Sequence, residues 1–138
     1  MLEERSAGAI IYQDLPSGKM YLLLNYPSGH WDFVKGNIER GETLKQTVLR
    51  EIREETGISD INFVDGFEDK LEYYYQRNGE VVHKEVIFFL AKTSTNIVTL
   101  SHEHVDYLWL TFNDTLQKLT YKTAQRLLKK VKDLGFES

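Results

Sequence analysis

Four glutamates and two arginines lie between residues 42 and 55, at spacings that suit catalysis from a helix. Arg50 is followed by Glu51, Glu54 and Glu55. On a helix that turns about 100° per residue, Glu55 lies about 40° to one side of Glu51 and Glu54 about 60° to the other. Carboxylate oxygens that share such an arc are suitable ligands for Mg²⁺ or Mn²⁺. The spacing therefore predicts a divalent-metal site on one edge of a helix.

An alternative interpretation of these charges is a solvated helix face held by ion pairs. Glu51 and Glu55 are like charges one turn apart, which destabilises a helix face exposed to water. They also border an apolar stripe that contains Val48, Leu49 and Ile52. Carboxylates crowded at the edge of a core must be partly neutral or must share cations. We therefore favour the metal site over the solvated face.

The helix that positions these glutamates is predicted for residues 43–56. Thr43 and Gln46 have the types and spacing of a capping box, and Gly57 stands where a C-terminal cap is expected. Both ends of the helix are therefore fixed by local sequence.

The other segments predict strands and a C-terminal helix. Strands are predicted at 7–13, 20–25, 61–76, 80–91 and 107–111, and a helix at 113–134, either continuous or restarting at Thr120 after a short first piece. Asn78-Gly79 lies between two of the apolar runs and is a strong signal for a β-hairpin. This order of elements predicts an α+β fold in which a mixed sheet lies between helices, as an α/β/α sandwich in one domain over 1–138.

Composition excludes several other classes of protein. The absence of cysteine excludes a disulfide framework and a thiolate metal site. No apolar run approaches the roughly 18 residues of a membrane span, and the first residues lack the pattern of a signal peptide, so we expect a cytoplasmic protein without a membrane partner. The net charge of −4 argues against a stable nucleic-acid partner. An acidic site can still bind polyphosphate through metal cations.

The segment from Gly36 to Ile58 resembles the Nudix box at each defined position. It has Gly36, then Glu42, then the run REIREETGI that begins at Arg50. The resemblance implies the Nudix fold and metal-dependent hydrolysis of a nucleoside diphosphate linked to another moiety. It also implies a set of metal ligands, namely the carboxylates of Glu51, Glu54 and Glu55 and the backbone carbonyl of Gly36 or Lys35.

The resemblance implies supporting roles for further residues. Arg50 would orient the glutamates, and Glu42 would stabilise the loop or support the metal site. Lys35 would add positive charge where the transition state accumulates negative charge. Glu103 would be a further metal ligand or a general base, and the base remains open among Glu54, Glu55 and Glu103. His102 and His104 flank Glu103, but two histidines without a third ligand nearby make a poor zinc site.

Most of the chain is similar to the asymmetrical diadenosine tetraphosphate hydrolases. The similar segments include His30-Trp31, Lys35-Gly36 and the stretch from Leu100 to Leu110. This resemblance implies cleavage of diadenosine tetraphosphate to ATP and AMP. It implies substrate contacts from His30, Lys35, Tyr73, Lys84 and Tyr121, with the two tyrosines stacking on adenine.

Four of these five substrate residues also have a structural interpretation. Tyr73 would pack across strands, Tyr121 would belong to the core, His30 would pack beside Trp31, and Lys84 would be solvated. One departure from the subfamily is Val34, which stands where proline is common before the Lys-Gly pair. Proline would pre-set the backbone there, so its absence puts the rigidity of the loop in doubt.

Other functions remain open at this stage. A Nudix enzyme could instead act on RNA 5′ ends, nucleoside triphosphates, nucleotide sugars or diphosphoinositol phosphates. A catalytically silent nucleotide-binding sensor is a third possibility, which is less favoured because the chain retains all of the carboxylates. The sequence leaves the oligomeric state and the number of metal ions undetermined.

Overall fold

The computed structural model describes residues 1–137, in which seven strands and three helices form. The strands are β1 (Leu2–Leu15), β2 (Gly18–Asn25), β3 (Trp31–Asp32), β4 (Val34–Asn37), β5 (Asn62–Arg77), β6 (Glu80–Lys92) and β7 (Asp106–Leu110). The helices are α1 (Leu44–Thr56), α2 (Phe112–Lys118) and α3 (Lys122–Asp133). The predicted domain boundary at residue 138 lies outside the described residues. None of the helices in 1–137 is both long and apolar enough to cross a membrane.

The sheet is mixed, and β1 is its central strand. Its main path runs β3-β2-β1-β6-β5, with β7 paired to β2 and β4 paired to β1. The β1–β6 pair is parallel, from Leu2 opposite Val82 to Tyr12 opposite Lys92. All other pairs are antiparallel. The continuous apolar run of β1 is buried on both faces, as expected for a strand covered on each side.

Side chains alternate between the two faces of the sheet and form two cores. Ile10 faces the core that contains Leu127 and Leu128 of α3. Ile11 faces the opposite core, which contains Val48 and Ile52 of α1. The sheet therefore lies between α1 on one side and α2 with α3 on the other. This arrangement confirms the predicted α+β fold with a mixed sheet between helices.

The local signals at the turns and caps are confirmed. Thr43 accepts a hydrogen bond from the Gln46 backbone N–H at 3.1 Å, and the Gln46 side chain accepts one from the Thr43 N–H at 2.9 Å. Gly57 ends α1 with φ at 76°. Asn78 and Gly79 both have positive φ, as a two-residue type I′ hairpin turn requires. These elements form where the sequence predicts them because their signals are local.

The helical segment predicted at 113–134 forms two helices, α2 and α3, which are separated at residues 119–121, next to the restart that the sequence allowed at Thr120. Leu119 and Tyr121 have extended backbone angles. Thr120 lies between them and accepts a hydrogen bond from the Trp31 N–H at 2.8 Å through its hydroxyl. The Thr120 N–H donates in turn to the Trp31 carbonyl at 3.3 Å. These bonds to β3 replace helical ones, so the chain leaves the helix at this point.

The buried face of α1 is rotated relative to the predicted apolar stripe. Leu49 is 38% exposed, although the sequence places it in the stripe. Glu55 and Thr56 are buried instead. The reason is the segment 99–101, whose backbone N–H groups donate to the carbonyls of Glu55 and Thr56 and cover that side of the helix.

Candidate active site

The three glutamates on α1 differ in their burial. Glu55 is buried with 6% of its surface exposed, Glu51 is partly buried, and Glu54 is exposed. The helix therefore presents a graded edge, from a carboxylate inside the fold to one in solvent. This gradient agrees with the interpretation of the segment as the border between core and solvent rather than a uniformly solvated face.

Gly36 on β4 allows the closest approach between the sheet and α1. A Cβ atom built at Gly36 would overlap the carboxylate of Glu51. Glycine is the residue that permits such an approach of backbone to a functional group. The contact explains the glycine physically, and it brings two of the predicted metal ligands next to each other.

Arg50 links the glutamates to β4. Its Nε donates to Glu42 Oε2 at 2.7 Å, and its Nη1 donates to Glu51 Oε1 at 2.7 Å and to Glu54 Oε2 at 3.3 Å. Its Nη2 donates to the Asn37 carbonyl at 2.9 Å. Hydrogen bonding to Arg50 lowers the pKa of Glu42 to about 2. The planar guanidinium can make these bonds simultaneously, so it fixes the relative orientation of the carboxylates.

Glu55 is in the most unusual electrostatic environment of the site. Burial, followed by the charges of Glu51, Glu103 and Glu54, raises the pKa of Glu55 to about 8. Its Oε2 has no hydrogen-bond partner in residues 1–137, and its Oε1 lies 3.5 Å from His104 Nε2. Burial also raises the pKa of Glu51, although Arg50 opposes the shift. A cation at this edge would relieve the crowding of negative charge.

The donor set fits a hard divalent cation. The available groups are carboxylate oxygens, one of which is buried without a partner, as noted for Glu55. Oxygen donors without thiolates suit Mg²⁺ or Mn²⁺ rather than zinc. Across residues 1–137 no three His, Asp or Glu side chains already converge as a complete ligand shell. The fit therefore rests on donor chemistry and on the unsatisfied oxygen.

Glu103 and its two flanking histidines occupy different environments. Glu103 and His102 are exposed, whereas His104 is buried. The charge of Glu103 contributes to the raised pKa of Glu51 and of Glu55, so Glu103 lies near the acidic edge. The expectation that these two histidines make a poor zinc site stays a prediction.

A cavity of about 430 Å³ collects four of the five predicted substrate residues. Its lining consists of His30, Asp32, Lys35, Leu71, Tyr73, Tyr121, Thr123 and Ala124. Both tyrosines are partly exposed, and the His30 ring lies 5.3 Å from the Tyr121 ring. Lys35 pairs with Asp32 at 3.2 Å. The cavity therefore combines aromatic faces with a cation that adjoins Gly36.

Lys84 lies outside the lining of this cavity. Its Nζ donates to Asn37 Oδ1 at 2.9 Å and lies 3.6 Å from Glu4 Oε1. Burial lowers the pKa of Lys84, and the neighbouring charge of Lys35 adds to the shift. Lys84 is thus held beside β4, one residue beyond Gly36, rather than beside the tyrosines. It is not freely solvated.

Sequence reasoning missed three residues that shape the site. Asn37 links Arg50 to Lys84 through its carbonyl and its side chain. Tyr26 stacks on His30 with ring centroids 4.6 Å apart. Asp32 is buried and pairs with Lys35. Their types are ordinary for turns and strand ends, so only the proximity of Asp32 to Lys35, three residues apart, could have signalled a role.

Comparisons with known proteins agree with this geometry. The profile of the NUDIX domain matches residues 3–131. The chain is 32% identical over 129 residues to the asymmetrical bis(5′-nucleosyl)-tetraphosphatase of Caenorhabditis elegans, covering 91% of this chain and 92% of that protein. It is 34% identical over 137 residues to the Mus musculus protein of the same name, covering 91% and 90%. A crystal structure of a C. elegans Ap4A hydrolase in a binary complex matches with a TM-score of 0.83 and 30% identity, covering 95% of this chain and 96% of that one. The chain therefore belongs to the Nudix hydrolase family.

Proposed function

We propose that this protein hydrolyses dinucleoside polyphosphates, chiefly diadenosine tetraphosphate, to ATP and AMP with Mg²⁺ or Mn²⁺ as cofactor. The observation that carries the proposal is the cavity in which Tyr73 and Tyr121 lie together with His30 and Lys35. The tetraphosphatase names of two relatives that match over about nine tenths of the chain support the same substrate. Enzymes with this domain generally depend on a divalent metal ion.

The cavity suits one nucleoside end of the substrate. A purine stacks favourably on tyrosine, at about 1–3 kcal/mol per base, whatever its identity. Tyr73 comes from β5 and Tyr121 from the turn before α3, so a base can contact rings from two parts of the fold. His30 packs beside Tyr121 and completes the aromatic wall.

The phosphate chain would extend from this cavity towards α1. Lys35 lines the cavity and adjoins Gly36, which contacts Glu51. Lys84, on β6, donates a hydrogen bond to Asn37, which lies on the same strand as Lys35. These two cations would hold phosphate oxygens by charge-assisted hydrogen bonds. The scissile phosphate would then lie over the acidic edge of the helix.

The carboxylates would divide the chemistry between them. Glu51, Glu54, Glu55 and Glu103 would hold the metal, which when bound neutralises phosphate charge and acidifies water. Arg50 would hold the carboxylates of Glu51 and Glu54 in fixed positions relative to each other. Glu54 is exposed to solvent, so we assign it the role of the general base that accepts a proton from the attacking water. Water would add to phosphorus as the bridging P–O bond breaks, giving one AMP and one ATP.

The test is a product analysis with purified protein. Incubation of diadenosine tetraphosphate with Mg²⁺ or Mn²⁺ should release ATP and AMP in equal amounts, and EDTA should stop the reaction. Two molecules of ADP would mean symmetrical cleavage and would contradict the assignment. Competition with triphosphorylated RNA, nucleoside triphosphates and nucleotide sugars gives the preferred substrate as the one with the highest kcat/KM.

A further inference from the structure

Two unsatisfied buried atoms lie at the same place in the fold. Three buried side-chain atoms in residues 1–137 lack a hydrogen-bond partner, and two of them are Glu55 Oε2 and His104 Nε2. His104 Nε2 lies 3.5 Å from Glu55 Oε1. Both residues are more than nine tenths buried, at 6% and 7% exposure. Buried polar groups are nearly always paired, so these two side chains are natural partners for each other.

Ser101 is placed to donate a hydrogen bond to one ring nitrogen of His104. Ser101 Oγ lies 3.1 Å from His104 Nδ1 and accepts a hydrogen bond from the Glu103 N–H at 3.3 Å. The hydroxyl hydrogen of Ser101 is then available for donation to Nδ1. In a neutral imidazole only one ring nitrogen carries a hydrogen, so when Nδ1 accepts a hydrogen bond the hydrogen is on Nε2. The Nε2–H group therefore points its donor at the carboxylate of Glu55.

The surroundings hold the His104 ring in place. The Tyr26 ring meets it edge to face at 4.6 Å, and the Tyr26 hydroxyl donates to the Phe33 carbonyl at 2.8 Å. The Ser101 N–H donates to the Glu55 carbonyl at 3.3 Å, so the segment with the histidine is fixed to the end of α1. The ring thus has little freedom to turn away from Glu55.

We propose that His104 is a positioning residue that donates from Nε2–H to Glu55 and holds this carboxylate for the metal. Carboxylates and imidazoles that bind metal are commonly held by such outer hydrogen bonds, whose loss weakens metal affinity by about 10–100-fold. The inference rests on the proposed function only in taking Glu55 as a metal ligand. It does not depend on which nucleotide is hydrolysed.

The experiment compares substitutions at His104 with one at its exposed neighbour. His104→Phe keeps a ring against Tyr26 but removes the donor. His104→Gln places an amide nitrogen near the position of Nε2, whereas His104→Asn places it near that of Nδ1. His102→Phe adds the same ring two residues away, outside the site, and is the matched control.

Mn²⁺ titration of the metal-free proteins by calorimetry is the main readout, because it needs no substrate. We expect His104→Phe and His104→Asn to weaken Mn²⁺ binding about tenfold or more. His104→Gln should recover most of the affinity, and His102→Phe should bind as the wild type does. With diadenosine tetraphosphate, His104→Phe should lower kcat while KM stays within about twofold.

Two results would overturn the inference. One is wild-type Mn²⁺ affinity in a folded His104→Phe variant. The other is directly bound imidazole nitrogen in the spin-echo spectrum of the Mn²⁺-loaded wild type, which would make His104 a ligand. Should His104→Phe fail to fold, the Gln and Asn variants decide. Mn²⁺ affinity retained by His104→Gln alone supports the inference, and equal affinity in both variants contradicts it. If Mn²⁺ binding depends on His104 as expected but the wild type does not cleave the dinucleotide, the proposed function fails while the positioning role stands.

Discussion

At the scale of single residues, the glutamates of α1 differ in ways that their spacing alone does not convey. Glu51 lies over Gly36 and is held by Arg50. Glu54 faces solvent, and Glu55 is enclosed. Identical side chains therefore have different capacities to bind a cation or to accept a proton. Substitutions at each position should have distinguishable effects.

Glu54→Gln should reduce kcat at least a hundredfold without unfolding the protein. The change removes a negative charge from an exposed side chain, and such surface substitutions alter stability by less than about 0.5 kcal/mol. Arg53→Gln, on the exposed side of the same helix, is the control. Steady-state kinetics and urea unfolding measure both effects. Activity close to that of the wild type would remove Glu54 from the site.

Glu55→Gln should stabilise the metal-free protein at high pH. The pKa of Glu55 is about 8 in the fold against an ordinary 4.5, because of burial and neighbouring carboxylates. The protonated side chain can be buried at little cost, so the wild type has its full stability below about pH 4.5. It loses that stability as the pH rises through 8, because the buried side chain must then ionise. Each pKa unit corresponds to about 1.4 kcal/mol, so the gain at pH 8.5 is on the order of a few kcal/mol.

Denaturant unfolding in EDTA at pH 4.5 and pH 8.5 measures this difference. The variant and the wild type should be similar at the lower pH, and the variant should be more stable at the higher one. Added Mn²⁺ should favour the wild type instead, because binding to the folded state stabilises it. Equal stability at pH 8.5 without metal would contradict the burial of charge at Glu55.

Gly36→Ala should displace the Glu51 carboxylate and weaken Mn²⁺ binding at least tenfold. The new Cβ overlaps that carboxylate, and the backbone of β4 is paired with β1 and cannot easily move. Calorimetric titration measures the loss. The substitution should also lower the free energy of unfolding, measured with urea. In a Glu51→Ala background this loss should be small, because the effects of substitutions at contacting residues are not additive. Additive costs would place the clash elsewhere.

At the scale of elements, α1 depends on its caps. Thr43→Ala should destabilise the protein by about 1 kcal/mol, because one side of the capping box is lost. Urea unfolding measures the change, with Thr99→Ala as a control, because Thr99 is exposed and lies in a loop. Thr43→Ser keeps the hydroxyl and should restore most of the stability. A Ser variant as unstable as the Ala variant would argue against the cap.

Elements with local signals could be predicted from the sequence, and those defined by distant contacts could not. The ends of α1 and the turn at 78–79 depend on a few adjacent residues. The sequence allowed a break at Thr120, but the contact that explains it is with Trp31, which is 89 residues away. The short strands β3 and β4 have no pattern of their own and form by pairing with β2 and β1.

The candidate site also has parts that the sequence predicted and parts that depend on distant contacts. The types and spacing of Arg50 and the glutamates predicted an acidic edge, since they lie on one helix. The grouping of Tyr73 with Tyr121 came from resemblance, and the cavity brings them together. The contact between His104 and Glu55 needs the loop after β6 to return to α1, which no local pattern encodes.

At the scale of the whole molecule, the cavity exists only because the sheet and the C-terminal helices pack together. Tyr73→Ala and Tyr121→Ala should each raise KM for diadenosine tetraphosphate about tenfold, with a smaller effect on kcat, because stacking on a base is lost. Tyr74→Ala is the control, since Tyr74 packs on His83 on the opposite face of β5. Unchanged KM in both variants would contradict the aromatic cavity.

The parallel pairing of β1 with β6 also has a consequence for how fast the chain folds. Leu2 lies opposite Val82, so the central pair of the sheet joins residues 80 positions apart. Contacts of such long sequence separation require a large loop to close before they stabilise anything, and this slows folding. The β5–β6 hairpin closes through two residues and can form early. We expect the amides that join β1 to β6 to acquire protection from hydrogen exchange later during refolding than those of the β5–β6 hairpin.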